Sequence, residues 1–106
     1  MAEFDVTGQW VAHQSNGYDV NFHIRPTNGD FTQLDVEASY SGGRGQGKGE
    51  VSGDSFVAEV DWEAGPVGRY TATFDADGFL TNGESVDRAN PSSRATWYVD
   101  HNFRRR

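Results

Sequence analysis

The segments of this chain that can form structure alternate apolar and polar residues with a period of two. Tyr18-Asp19-Val20-Asn21-Phe22-His23-Ile24-Arg25 shows the pattern at its cleanest, with even positions apolar and odd positions charged or amide-bearing. Leu34–Tyr40 and Phe56–Trp62 repeat it, and no stretch carries an apolar stripe at helical spacing. Successive side chains of a strand face opposite ways, so the alternation predicts strands with one wet and one buried face. Gly and Asn/Asp punctuate them. Asn16-Gly17 predicts a two-residue hairpin turn of type I′, and Asn28-Gly29-Asp30 and Asp77-Gly78 predict further tight turns. The resulting layout is eight strands near 8–15, 18–26, 31–41, 47–52, 55–63, 68–76, 79–87 and 95–103. Short turns join each to the next, the connectivity of a meander, and eight strands can close without an exposed edge. A two-sheet sandwich is the alternative. It needs a long crossover, and the long irregular stretches are 41–47 and 87–93. The expected fold is therefore all-β, an eight-stranded antiparallel up-and-down β-barrel, with function to be sought in its interior.

Composition narrows this further. The 106 residues form one expected domain, 1–106, with a basic tail at 103–106 ending in Arg104-Arg105-Arg106 that is expected to fray into solvent. Seven Phe, four Tyr and three Trp supply core area in few residues. Sixteen acids against nine bases give a net charge of −7, which argues for solubility and against nucleic acid. The chain has no Cys and no apolar run long enough for a membrane span. Met1-Ala2-Glu3-Phe4 lacks a basic-then-apolar leader, so an unexported chain, or one secreted with its leader removed, is expected.

Several short motifs resemble the avidin and streptavidin family of calycin barrels. Thr7-Gly8-Gln9-Trp10 is similar to that family's opening Thr-Gly-x-Trp. Glu37–Tyr40 with the following Gly-rich stretch resembles its third strand and mobile loop, and Phe56–Trp62 its fifth strand, which ends in a pocket Trp. Tyr70–Phe74 stands where the sixth strand would be, and Val99-Asp100-His101-Asn102-Phe103 is similar to the terminal Gly-His-Asp-x-Phe. The resemblance implies a small-ligand barrel and a homo-oligomer, dimer or tetramer. Two biotin contacts have counterparts, Tyr40 and Trp62. The others are replaced: Ala12 stands for the first-strand Asn, Asn16 for the Ser, Tyr70 for the sixth-strand Trp, Glu84 for the seventh-strand Trp and Asn102 for the Asp. High-affinity biotin binding is therefore not expected.

Parity assigns the interior to Trp10, Ala12, Tyr18, Val20, Phe22, Ile24, Leu34, Val36, Ala38, Tyr40, Phe56, Ala58, Val60, Trp62, Tyr70, Ala72, Phe74, Leu80, Asn82, Glu84 and Val86. The aliphatic and Phe members read as core, and Trp10 as the plug of the closed end. Tyr40, Trp62, Tyr70, Asn82 and Glu84 are the candidate ligand-binding residues, because they bring polar groups to interior positions near strand ends. An ionised carboxylate is costly to bury. Glu84 thus implies either a polar pocket, where it would be the best general acid or base, or a slipped register in a strand interrupted by Gly83.

Other motifs carry less. Ser41–Gly49 nearly spells a phosphate loop, but Gly49 replaces the Mg²⁺-binding hydroxyl and no helix follows, so a flexible lid over the mouth is expected. Asp75-Ala76-Asp77-Gly78 is a sufficient hairpin turn without calcium, and His13, His23 and His101 lack ligand spacing. No metal site, cofactor or catalytic residue is assigned. Three functions stay open. The first is a non-enzymatic binder of a small organic ligand under the 41–47 loop. The second is a barrel cyclase or isomerase of a small hydrophobic substrate using Glu84. The third is a scaffold acting through outer apolar residues such as Val57, Phe79 and either Trp97/Val99 or Tyr98.

Overall fold

The structure, a computed structural model, describes residues 4–105. Met1–Glu3, on which the expectation of no leader rested, and Arg106 of the basic tail lie outside the described residues. Alternating sequence becomes pleated strand throughout: β1 (Phe4–Asp5), β2 (Gly8–Gln14), β3 (Asp19–Thr27), β4 (Asp30–Tyr40), β5 (Gly43–Ser52), β6 (Ser55–Trp62), β7 (Val67–Phe74), β8 (Leu80–Asp87), β9 (Asn90–Tyr98) and β10 (Arg104–Arg105). Strands β2 to β9 each pair antiparallel with the next, and β9 returns to β2, closing the barrel. The expected fold class stands. Strand β1 pairs with β10 in a separate ribbon, Phe4 opposite Arg105.

The Gly-rich stretch is not a lid. Strand β5 begins at Gly43, and only a tight turn at 41–42 separates it from β4. Its Arg44, Gln46, Lys48 and Glu50 face solvent, while Gly43, Gly45, Gly47 and Gly49 face inward. This is a period-two pattern whose inner half carries no side chain, so hydropathy does not register it. A Cβ at Gly47 would sit 1.8 Å from the Glu59 carbonyl oxygen, and one at Gly49 would meet Val36 Cγ2 at 3.3 Å and Ala58 Cβ at 3.4 Å. Side chains of β4 and β6 thus close over the bare inner face of β5.

Further differences lie at the chain's end and in the turns. Asn90-Pro91-Ser92-Ser93, expected as a loop, opens β9. Pro91 is tolerated because this half of β9 pairs with β8 alone, leaving its other edge free of a ladder. Arg104 and Arg105 do not fray: Arg105 lies 4.8 Å from the Phe4 ring centroid in a cation–π contact. Asn16 keeps a negative φ while Gly17 has φ +91°, so that hairpin is a longer loop closed by Gln14 N–H donating to Tyr18 O at 3.0 Å. The two-residue geometry occurs instead at Asn28-Gly29, where φ is 52° and 78°.

Trp10 plugs the base, as its parity and the Gly-x-Trp motif predict. It is buried and its ring lies 4.8 Å from Phe22, 5.3 Å from Phe103 and 5.9 Å from Phe56 between centroids. Its indole N–H donates to Val6 O at 3.0 Å, so burial leaves no polar group unsatisfied. Phe4 stacks on Phe74 at 4.4 Å beside it. The plug therefore draws on both the residues before β2 and those after β9.

The closing seam is short. Strand β2 meets β9 only at His13↔Tyr98 and Gln14↔Trp97, whereas β4 and β5 pair from Gln33↔Glu50 to Tyr40↔Gly43. Side chains reinforce it. Thr96 N–H donates to Ser15 Oγ at 3.0 Å, and the two nitrogens of His13 each meet a carboxylate at 2.8 Å, Asp19 through Nδ1 and Asp100 through Nε2. Only the imidazolium can donate from both nitrogens at once. The Asp19 hydrogen bond above all, with that of Asp100, raises the His13 pKa above its ordinary value of 6.5 against an opposing desolvation.

Two outcomes follow from these contacts. Gly47→Ala should destabilise the barrel by more than about 2 kcal/mol in urea unfolding, because backbone must move, while outward Gln46→Ala stays within about 0.5 kcal/mol. The His13 clamp contributes fully below the unfolded value of 6.5 and is lost as pH rises through the raised folded value. The stability gap between the native chain and His13→Gln should therefore be largest below 6.5 and shrink as pH rises above it, read by thermal unfolding at each pH.

Candidate functional site

Opposite the plug, Gly68 and Ser85 stand among the inward aromatic residues and the barrel opens. The hairpin at 15–18 and the turns at 41–42, 63–66 and 88–89 ring this mouth. Beneath them lies a cavity of about 270 Å³, lined among others by Tyr18, Tyr40, Trp62, Tyr70, Ser85 and Asp87. That is room for roughly nine waters, just under the ~300 Å³ at which sites for drug-sized ligands begin.

Of the predicted site residues, Tyr40, Trp62 and Tyr70 converge here. Trp62 ends β6 opposite Gly45 of β5. A Cβ at Gly45 would lie 2.9 Å from its Cε3, and one at Gly68 of β7 would lie 3.1 Å from its Nε1. The indole therefore lies along the inner wall across β5, β6 and β7, over two positions that carry no side chain. Tyr40 stands edge-on to it, at 5.1 Å and 84°, and Tyr18 stands edge-on to Tyr40 at 5.3 Å and 81°. Tyr18 is half exposed at the rim rather than interior. Tyr70 is the floor, 4% exposed and 5.2 Å from the Phe22 ring. Burial pushes its phenol up to about 12, with a smaller contribution from Tyr40, while a hydrogen bond from the Trp62 indole pulls the other way.

Asn82 and Glu84 are not in the cavity. Thr71 pairs with Glu84 but Thr73 pairs with Thr81, so β8 holds one extra residue at Asn82-Gly83. Asn82 takes a left-handed φ of 55°, the geometry of a β-bulge, and every later side chain of β8 changes face. Glu84 points outward, 3.9 Å from Arg94, and Asn82 is exposed. The slipped-register reading of this strand is the correct one. Trp97 enforces it: a Cβ at Gly83 would lie 2.9 Å from its ring, and its indole N–H donates to Glu84 O at 2.9 Å.

The bulge delivers Ser85 instead, directly across from Tyr70 and the one buried polar residue among those described. Its hydroxyl donates to Gln14 Oε1 at 3.2 Å, and Gln14 Nε2 donates to Asn16 Oδ1 at 3.3 Å. A relay of polar groups thus crosses the seam and faces the aromatic wall. Sequence reading missed Ser85 and Asp87. Gly83 inside a strand was the available signal, since such glycines mark bulges. Asn102, the counterpart of a family ligand residue, sits at the other end of the barrel and donates to Asp77 O at 2.8 Å.

A wider depression of about 810 Å³ lies on the outside of β2–β6, lined by Gln9, His23, Glu37, Arg44 and others. Its polar side chains are at least partly solvent-exposed, and no buried polar group converges on it. The mouth is the better candidate, because it holds both aromatic faces and a buried hydroxyl.

No known protein family, curated protein or solved structure matches this chain. Its site must be read from its own residues. The buried phenol offers a direct check. Absorbance titration should reveal one tyrosine ionising near 12, absent from Tyr70→Phe. Because the unfolded phenol ionises first, at about 10, its contribution to stability should fall as pH rises above that value.

Proposed function

We propose that this chain is a small-molecule-binding barrel of avidin-like build whose ligand enters the mouth and rests against Trp62 and Tyr40 above Tyr70. One observation carries the reading: the base is packed with aromatic rings while the mouth keeps a cavity of about 270 Å³. A barrel serving only as a solid scaffold would fill both ends, since interiors pack closely. The aromatic wall supplies apolar contact area, and Tyr70 and Ser85 supply oriented hydroxyls, the usual composition of a ligand site. The cyclase alternative is weakened because Glu84, its acid–base group, lies outside. The avidin-like assignment rests on the Gly8-Gln9-Trp10 plug, on the meander and on Tyr40 and Trp62 at the mouth.

The reading is tested by titrating a panel of small aromatic and heterocyclic compounds into ¹⁵N-labelled protein. Binders should shift the Trp62 indole N–H and the amides of Gly68, Tyr70 and Ser85, leaving the base residues Trp10 and Phe74 unmoved. Trp62→Ala should weaken those binders roughly ten-fold or more. Shifts confined to the outer face of β2–β6, or none across the panel, would refute a mouth site.

A further inference from the structure

The cavity's electrostatics narrow the ligand class. Resting on the ligand-site reading above, we infer that the mouth receives a small organic cation with a methylated ammonium head, seated on the Trp62 indole.

The indole lies beside Gly45 and Gly68, which carry no side chain to cover it, and it lines the cavity. A π face is electron-rich and attracts a cation, Trp most strongly. Tyr40 stands nearly perpendicular at 84°, giving the cavity a second aromatic wall at right angles to the first. Tyr70 closes the floor, and its phenol stays neutral because burial holds it near 12. Two or three aromatic walls around a void suit a compact, nearly spherical head better than an extended flat ring.

Charge points the same way. Asp87 and Arg94 are the ionisable groups lining the cavity besides its tyrosines, while Glu63 and Arg88 stand in the surrounding turns, Arg88 paired with Glu59 at 3.3 Å. Arg94 is opposite Val86 on the outward face and is turned toward Glu84 at 3.9 Å. Asp87 lies opposite Gly68, on the inner register, and one of its oxygens accepts the Ala89 N–H at 2.9 Å. Asp87 thus faces the cavity while the charge of Arg94 is offset by Glu84, within a chain of net charge −7. An anion would meet Asp87 and a cation already engaged by Glu84, whereas an ammonium gains from both Asp87 and the long-range field. The cavity's 270 Å³ admits a trimethylammonium group and a short polar tail reaching Ser85.

Choline, its uncharged carbon isostere 3,3-dimethylbutan-1-ol, phosphocholine and a trimethyllysine peptide form the test set, with binding read by calorimetry and by the Trp62 indole resonance. Choline should bind at least roughly ten-fold tighter than the isostere, a difference within the reach of cation–π attraction. Trp62→Leu should abolish that preference while leaving the isostere's own binding within about three-fold. Asp87→Asn, which keeps the acceptor for Ala89, should weaken choline several-fold and the isostere not at all. Equal binding of choline and isostere overturns the cation assignment, and tighter binding of phosphocholine than of choline overturns the cavity's preference for positive charge. So does failure of choline to bind while neutral aromatic compounds still shift the mouth. Tighter binding of the peptide would place the head group on a protein chain and overturn the free-ligand assignment. If neither these compounds nor the aromatic panel bind, the ligand-site reading itself falls.

Discussion

Inside a closed eight-stranded cylinder the backbone fixes the cross-section, so the side chains that point inward decide where space remains. In this barrel aromatic rings fill one end, whereas at the other they stand against the wall around a hollow. Trp10, Phe22 and Phe56, with Phe4, Phe74 and Phe103, occupy the base, whereas Gly45, Gly68 and Ser85 stand near the mouth. That gradient of volume produces both a stable core and a hollow. The bare inner face of β5 is its most extreme expression, since from Gly43 to Gly49 the strand contributes no side chain to the interior.

The same gradient explains why the bulge in β8 matters to more than one strand. Trp97 must place a large indole inside at a level where β8 would otherwise present a side chain. Gly83 accepts it, and the additional residue needed to keep pairing with β7 is absorbed by Asn82 in a left-handed turn. One packing demand from β9 thus expels a carboxylate from the interior and turns a serine toward Tyr70. The polar lining of the cavity follows from accommodating a ring.

Much of this was legible in the chain. Alternation located the strands, because half-buried sheet demands it, and parity brought Tyr40, Trp62 and Tyr70 to one end. What escaped notice shares a physical cause: glycine carries backbone information but no hydropathy. The first half of strand β5, 43–47, looked like a loop because its inner face consists of hydrogen atoms. Glu84 looked interior because parity counting assumes an unbroken register, and only the φ of Asn82 breaks it. The stretch 95–103 looked like one strand although apolar Val99 and Phe103 leave the cylinder to cap it. Continuous alternation says which way residues face; it does not say which of them remain in the ladder.

The pairing of Phe4–Asp5 with Arg104–Arg105 brings the first and last described strands side by side at the plugged end. A short linker could join them without disturbing the cylinder, and new ends could be opened at a hairpin tip. A copy tethered to a bead or a second protein through either end would hold its mouth outward, facing the solution. The fold is thereby oriented for display, with attachment and access on opposite poles.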